Sequence, residues 1–217
     1  MRFLDRRQAG RQLAARLEEV CAAQSWPDPI VLGLPRGGVP VAAEVARALD
    51  APLDVLVVRK IGMPGEPEVG IGAIAGEDPP LFDGRALQML GLSPDDLRSD
   101  VARERAELHR REDLYRRGRP APDLRGRTVI LVDDGLATGV TARAALRRVR
   151  AEHPAVLVLA VPVCAEDAAG ELSRDSDRVV CLQPHRNLHA VGVWYDDFRQ
   201  VSDQEVIDIL EHQHAVG

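Results

Sequence analysis

The chain has 217 residues, 45% of them apolar, and a formal net charge of -6. That length carries one α/β domain over residues 1–217, with room for an insertion or an added element. The acidic balance excludes a chain-wide positive field that would draw nucleic acid by counterion release. No stretch approaches the ~20 apolar residues of a membrane span, and MRFLDRRQAGRQL lacks the apolar centre of a secretion signal, so a cytoplasmic location is expected. Cys21, Cys164 and Cys181 are odd in number and embedded in apolar runs, as reduced thiols of a core are.

Asp5 is placed to cap a helix running to about Val20, because Leu13, Leu17 and Val20 recur at spacings of four and three. Trp26-Pro27-Asp28-Pro29 reads as a turn, Pro29 to Leu34 as a short buried strand, and Val39 to Asp50 as a helix reached through PRGG. Leu53 to Val58 predicts a second strand. Arg59-Lys60 and IGMPGEPEVGIGAIAG follow, rich in glycine, and predict a mobile loop that returns through a strand near Val69 to Ala75. Within a helical insertion at about 83–118, Ser93 and Pro94 open a long solvated helix with early aspartates and late arginines.

Further strands are expected at Thr128 to Val132, Ala155 to Val163 and Arg178 to Leu182, with a helix from about Ala142 to His153. Strands alternating with helices give a Rossmann-like α/β fold with a mostly parallel sheet, its core spanning about 30–163. Ligands of such sheets gather beyond the carboxyl ends of the strands. There Asp133 and Asp134 leave the buried strand side by side, an arrangement that is costly unless hydroxyls, water or cations meet them. Gly135 to Thr141 then opens a helix with small residues and two hydroxyls, which leaves amides to surround an anion. A ribose diol and a phosphate fit the two halves. The bland alternative is an acidic turn with a threonine helix cap.

TVILVDDGLATGVT resembles the loop of type I phosphoribosyltransferases that binds 5-phosphoribosyl-1-pyrophosphate (PRPP). The resemblance implies PRPP binding by Asp133, Asp134, Gly135, Leu136, Ala137, Thr138, Gly139, Val140 and Thr141. The acids would take the ribose hydroxyls, and Ala137, Thr138, Gly139 and Thr141 the 5-phosphate. Pro35, Arg36, Gly37 and Gly38 resemble the family's pyrophosphate loop, where glycine amides and a strained peptide approach the leaving diphosphate. Arg59 and Lys60, with the glycine-rich stretch to Gly76, resemble its flexible lid, so Arg36, Arg59 and Lys60 are the implied catalytic cations. PRGGVPVA, RKIG and WYDDF together are similar to an uncharacterised bacterial group of that family.

The implied reaction displaces pyrophosphate from PRPP by a nitrogenous base. Mg2+ is the implied cofactor, touched by Asp133 and Asp134 through water. Members that act on 6-oxopurines carry an acid where Ala137 stands, so the acceptor base is left open. A hood over the site is expected from about 1–28 and 183–217, with Trp194, Tyr195 and Asp196 either forming a platform for the base or packing a carboxyl-terminal element. If Trp26 folds back, half or more of the seven aromatic residues gather there. His185 and His189 lie four apart, but a preceding proline and the lack of a partner cysteine or acid argue against zinc. A non-catalytic PRPP or nucleotide sensor is the main alternative function. A different α/β enzyme using the acid pair for metal is a third, and the absence of a G-x-G-x-x-G or Walker lysine loop weighs against it. By analogy with the fold, a homodimer is expected.

Overall fold

The computed structural model describes residues 2–216 apart from 25, 187 and 189, with the backbone alone for 68 and 214–216. Asp5 caps helix α1 (Arg6–Ala23), its carboxylate accepting from the amide of Gln8 at 2.7 Å. Strand β1 (Pro29–Gly33) leads into α2 (Gly38–Ala48), then β2 (Leu53–Val55), β3 (Val58–Met63) and β4 (Glu66–Ala75). Next come β5 (Leu81–Phe82), α3 (Gly84–Leu90), a 3-10 turn at Pro94–Leu97 and α4 (Arg98–Arg116). The chain continues through β6 (Thr128–Val132), α5 (Val140–Ala151), β7 (Val156–Ala165), α6 (Glu166–Leu172) and β8 (Arg178–His185). A 3-10 turn at Val191–Trp194 and α7 (Asp203–Val216) complete the elements.

Five parallel strands form the main sheet in the order β2-β1-β6-β7-β8. The three residues of β2 and all five of β6 are buried, as continuous apolar runs in a sheet covered on both faces must be. On one face Val31, Ile130 and Val158 pack with Leu13 and Leu17 of α1, Val41 and Val45 of α2 and Val206 and Leu210 of α7. On the other, Leu32, Leu131 and Leu159 meet Ala145, Leu146 and Val149 of α5 and Leu172 of α6. Each such large side chain contributes roughly 1.5–3 kcal/mol by burial.

Two predicted features are corrected. The apolar run Leu53 to Val58 is not one strand: β2 ends at Val55, and Val58 starts a separate antiparallel sheet, β3-β4-β5. In the glycine-rich segment the expected strand near Val69 to Ala75 is present as part of β4, but the expected loop before it is a hairpin with β3, reversing at Pro64-Gly65, with Gly65 at φ 86°. Residues 73–75 alternate in direction, and the register shift beside Gly62 puts Ile71 with Ile74. Ile61, Ile71 and Ile74 join Leu97, Leu108 and Tyr115 beside α4, while Val58, Ala73 and Ala75 belong to the cluster around α5. Trp26 also departs from expectation, packing in the main core with Leu13 and Leu17 rather than over the hood. Phe3 takes its place, clustering with Tyr195 and packing beside Trp194 and Phe198.

Candidate active site

Strand β6 delivers Asp133 and Asp134 to the carboxyl edge of the sheet, where both are only partly exposed. The loop Leu34 to Gly38 lies directly against them. The amide of Leu34 donates to Val132 O at 2.9 Å, and that of Gly38 to Leu34 O at 3.0 Å. A Cβ on Gly37 would stand 2.0 Å from the carboxylate oxygen Asp134 Oδ2, and one on Gly38 2.7 Å from the backbone oxygen of Val132, so glycine at both positions lets the loop lie this close to the acids. The peptide between Pro35 and Arg36 is cis. The structure thus brings the two predicted loops together.

Asp133 Oδ1 accepts from the amide of Asp134 at 2.8 Å. Asp134 Oδ2 accepts from Nε of Arg6 at 2.8 Å, and Tyr195 donates its hydroxyl to the carbonyl of Asp134 at 2.6 Å. Burial, and then the neighbouring Asp134 carboxylate, push the Asp133 carboxyl well above the usual aspartate range. Burial raises Asp134 too, against the Arg6 guanidinium, which favours its charged form. The Tyr195 phenol is likewise pushed up by burial and by Asp134.

After the acids, Leu136 anchors the loop. Its side chain is buried, its amide donates to Val163 O at 2.9 Å, and its carbonyl accepts from Ala165 at 2.8 Å. Both backbone groups are spent inside the fold, which leaves an anion to the residues that follow. Gly139, at φ 79°, turns the chain into α5, and no side chain caps that helix. The amides of Ala137, Thr138 and Gly139 donate to no acceptor among the described residues. Small residues, free amides and a helix start fit a phosphate.

Other predicted residues are engaged elsewhere. Arg36 Nη1 lies 3.8 Å from Asp203 of α7, whose carboxylate takes the hydroxyl of Tyr115 at 2.5 Å. The guanidinium of Arg59 closes on Glu104 of α4 through two bonds of 2.9 and 2.7 Å. Lys60 lines, with Arg59 and Met63, a cavity of about 510 Å³ between the hairpin and α4. Tyr195 is 1% exposed, its ring 5.5 Å from Phe3 and 5.0 Å from Phe198, so it scaffolds the acid loop and offers no open face to a base. Trp194 stacks on His185 at 3.6 Å, and Arg2 pairs with Asp196 at 3.2 Å. His189 lies outside the described residues. Sequence reasoning missed Arg6, which is 128 residues from its partner. Its only signal was a cation one position past a helix cap.

The chain is 44% identical over 98% of its length to "Putative phosphoribosyl transferase Rv0571c" of Mycobacterium tuberculosis H37Rv. It spans about half, 47%, of the curated relatives it matches. Among solved structures it is similar to TT1426 of Thermus thermophilus, with TM-score 0.79 and 43% identity over 98% of this chain and 99% of that one. AQ2163 of Aquifex aeolicus, at 11% identity and TM-score 0.55, shares the fold over 86% of this chain and 78% of its own. No helix among the described residues is long and apolar enough to cross a membrane. A family model described as the phosphoribosyl transferase domain matches residues 4–197, and the chain belongs to that family.

Proposed function

We propose that the chain binds PRPP and transfers its 5-phosphoribosyl group to a nitrogenous base, releasing pyrophosphate. The observation that carries this reading is the acid pair at the end of β6, followed within one loop by the uncapped start of α5, with Gly37 and Gly38 packed against the acids. The ribose diol is accepted by Asp133 and Asp134, the 5-phosphate by the amides and hydroxyls of Ala137 to Thr141, and the diphosphate by the backbone of Arg36 to Gly38. Arg36 supplies positive charge to the leaving group. Arg59 and Lys60 do so after the hairpin shifts, for which Arg59 leaves Glu104.

The donor set suits Mg2+. Asp133 Oδ2 and Asp134 Oδ1 accept no hydrogen bond from a described residue, and magnesium keeps several of its waters, so the acids would reach it through water while they take the ribose hydroxyls. Bound there, it neutralises charge on the departing diphosphate. A second reading, a PRPP-binding regulator without turnover, is favoured by the engagement of Arg59 with Glu104 and of Trp194 with His185.

The deciding experiment measures pyrophosphate release from PRPP and Mg2+ against purine, pyrimidine and pyridine bases, with D133N/D134N as the blank. Base-dependent release establishes the transferase and its substrate class. Silence with retained PRPP binding favours the regulator, and no binding of PRPP by folded protein sinks both.

A further inference from the structure

A buried ion pair is a costly way to join two segments, because both charges give up water. Residues 2–5 and 194–197 are already joined by cheaper means. Phe3 donates its amide to Trp194 O at 2.8 Å, Asp196 and Asp197 donate theirs to Phe3 O and Leu4 O at 2.8 and 2.9 Å, and Arg2 meets Asp196 in the open. Arg6 shares a surface cleft with the exposed Asp197 and the more shielded Glu205, yet its Nε turns inward to Asp134. Both side chains of that pair are largely shielded, at 10% and 15% exposure.

The guanidinium is also fixed on its other sides. Nη1 donates to Arg199 O at 2.8 Å, and the guanidinium carbon sits 3.9 Å from the centroid of the Phe198 ring. Gly37 packs against the same contact: a Cβ there would meet Asp134 Oδ2 at 2.0 Å and Arg6 Nε at 3.3 Å. The loop assigned to pyrophosphate is moulded around the Arg6–Asp134 pair. Of the four carboxylate oxygens, Oδ1 of Asp133 and Oδ2 of Asp134 are consumed internally, which leaves one oxygen on each acid.

We propose that Arg6 is a positioning residue of the ribose site: by clamping Oδ2 of Asp134 it presents the remaining oxygen, beside that of Asp133, as a fixed pair of acceptors for a vicinal diol. The inference rests on the PRPP reading above and deepens it. Acceptors fixed before binding need no ordering when the sugar arrives, so the affinity lost to that ordering is saved. A lysine keeps the charge but lacks the fork that bonds Asp134 and Arg199 together, and it restores only part of the effect.

The test is calorimetric titration of PRPP with Mg2+ into the full chain and three variants, R6A, R6K and R2A, each checked for its fold by circular dichroism. R6A raises the dissociation constant at least tenfold, R6K raises it by a smaller factor above threefold, and R2A, which touches the same segments but not the acids, stays within twofold. If R6A fails to fold, R6K decides alone. Dissociation constants within twofold of wild type for the folded Arg6 variants overturn the inference, as does an equal loss in R2A, which would assign the effect to joining the segments. Absence of binding by the wild-type chain sinks the PRPP reading and this inference with it, whereas wild-type binding indifferent to Arg6 sinks the inference alone.

Discussion

Asp133 pits function against stability at a single carboxyl. It is shielded from water beside a second acid, so ionisation is disfavoured in the folded chain and unopposed in the unfolded one. With the folded value raised, the sign follows: wild-type stability falls as pH rises from the usual aspartate range through the raised value. D133N removes that penalty and keeps an oxygen for the Asp134 amide. We expect D133N to unfold about 1 kcal/mol later than wild type in urea at pH 7, with the gap closing below pH 4, while PRPP binding is lost. Equal stability of the two proteins across that range would contradict the account. Gly37→Ala makes the opposite point, since its methyl would overlap Asp134 Oδ2. A loss of roughly 1–3 kcal/mol in stability, together with loss of PRPP binding, is expected.

The hairpin β3–β4 is docked by its own apolar faces and by a charged tie from Arg59 to Glu104. E104A leaves Arg59 without that partner and should cost about 1–2 kcal/mol locally. Amide exchange across residues 58–75 should then quicken while the main sheet stays protected; uniform exchange throughout would show that the hairpin opens only with the whole fold. The elements most legible in the sequence were those with local causes: Asp5 before an apolar periodicity, Ser93-Pro94 before an acidic turn, and continuous apolar strands such as β6 and β7. The returning strand near Val69 to Ala75 was legible, but its pairing with β3 was not, because the hairpin carries glycine at positions 62, 70 and 72, where Pro67, Lys60 and Phe82 press close, and glycine reads as loop. Nor does an apolar run such as Leu53 to Val58 reveal where it leaves one sheet for another. The acid pair and its glycine loops, which the structure packs together, were legible as a candidate site, because chemistry and spacing are local there. Arg6 was not, since nothing near it in the chain marks a contact made across the fold.

At the scale of the whole molecule, the site is closed by segments far apart in sequence. Phe3 is 1% exposed and sits among Tyr195, Leu188 and Val163. F3A should cost about 3–5 kcal/mol by the cavity it leaves, and a chemical unfolding curve measures it. Because Tyr195 holds the carbonyl of Asp134, F3A should also weaken PRPP binding, although Phe3 bonds to neither Asp133 nor Asp134. A stable F3A protein with unaltered binding would separate the aromatic cluster from the site.

The contact between Arg6 and the carbonyl of Arg199 spans 193 residues, and this sets a timetable for synthesis. At ~5–20 residues per second the ribosome delivers the second partner about 10–40 s after the first. Once Asp134 is made, a further 61 residues, about 3–12 s of synthesis, pass before Tyr195 follows, and until then two adjacent carboxylates stand without Tyr195 and Phe198. The acid loop is thus completed among the last parts of the fold, and a ribosome-stalled chain ending before Tyr195 would hold its sheet strands without a finished acid loop.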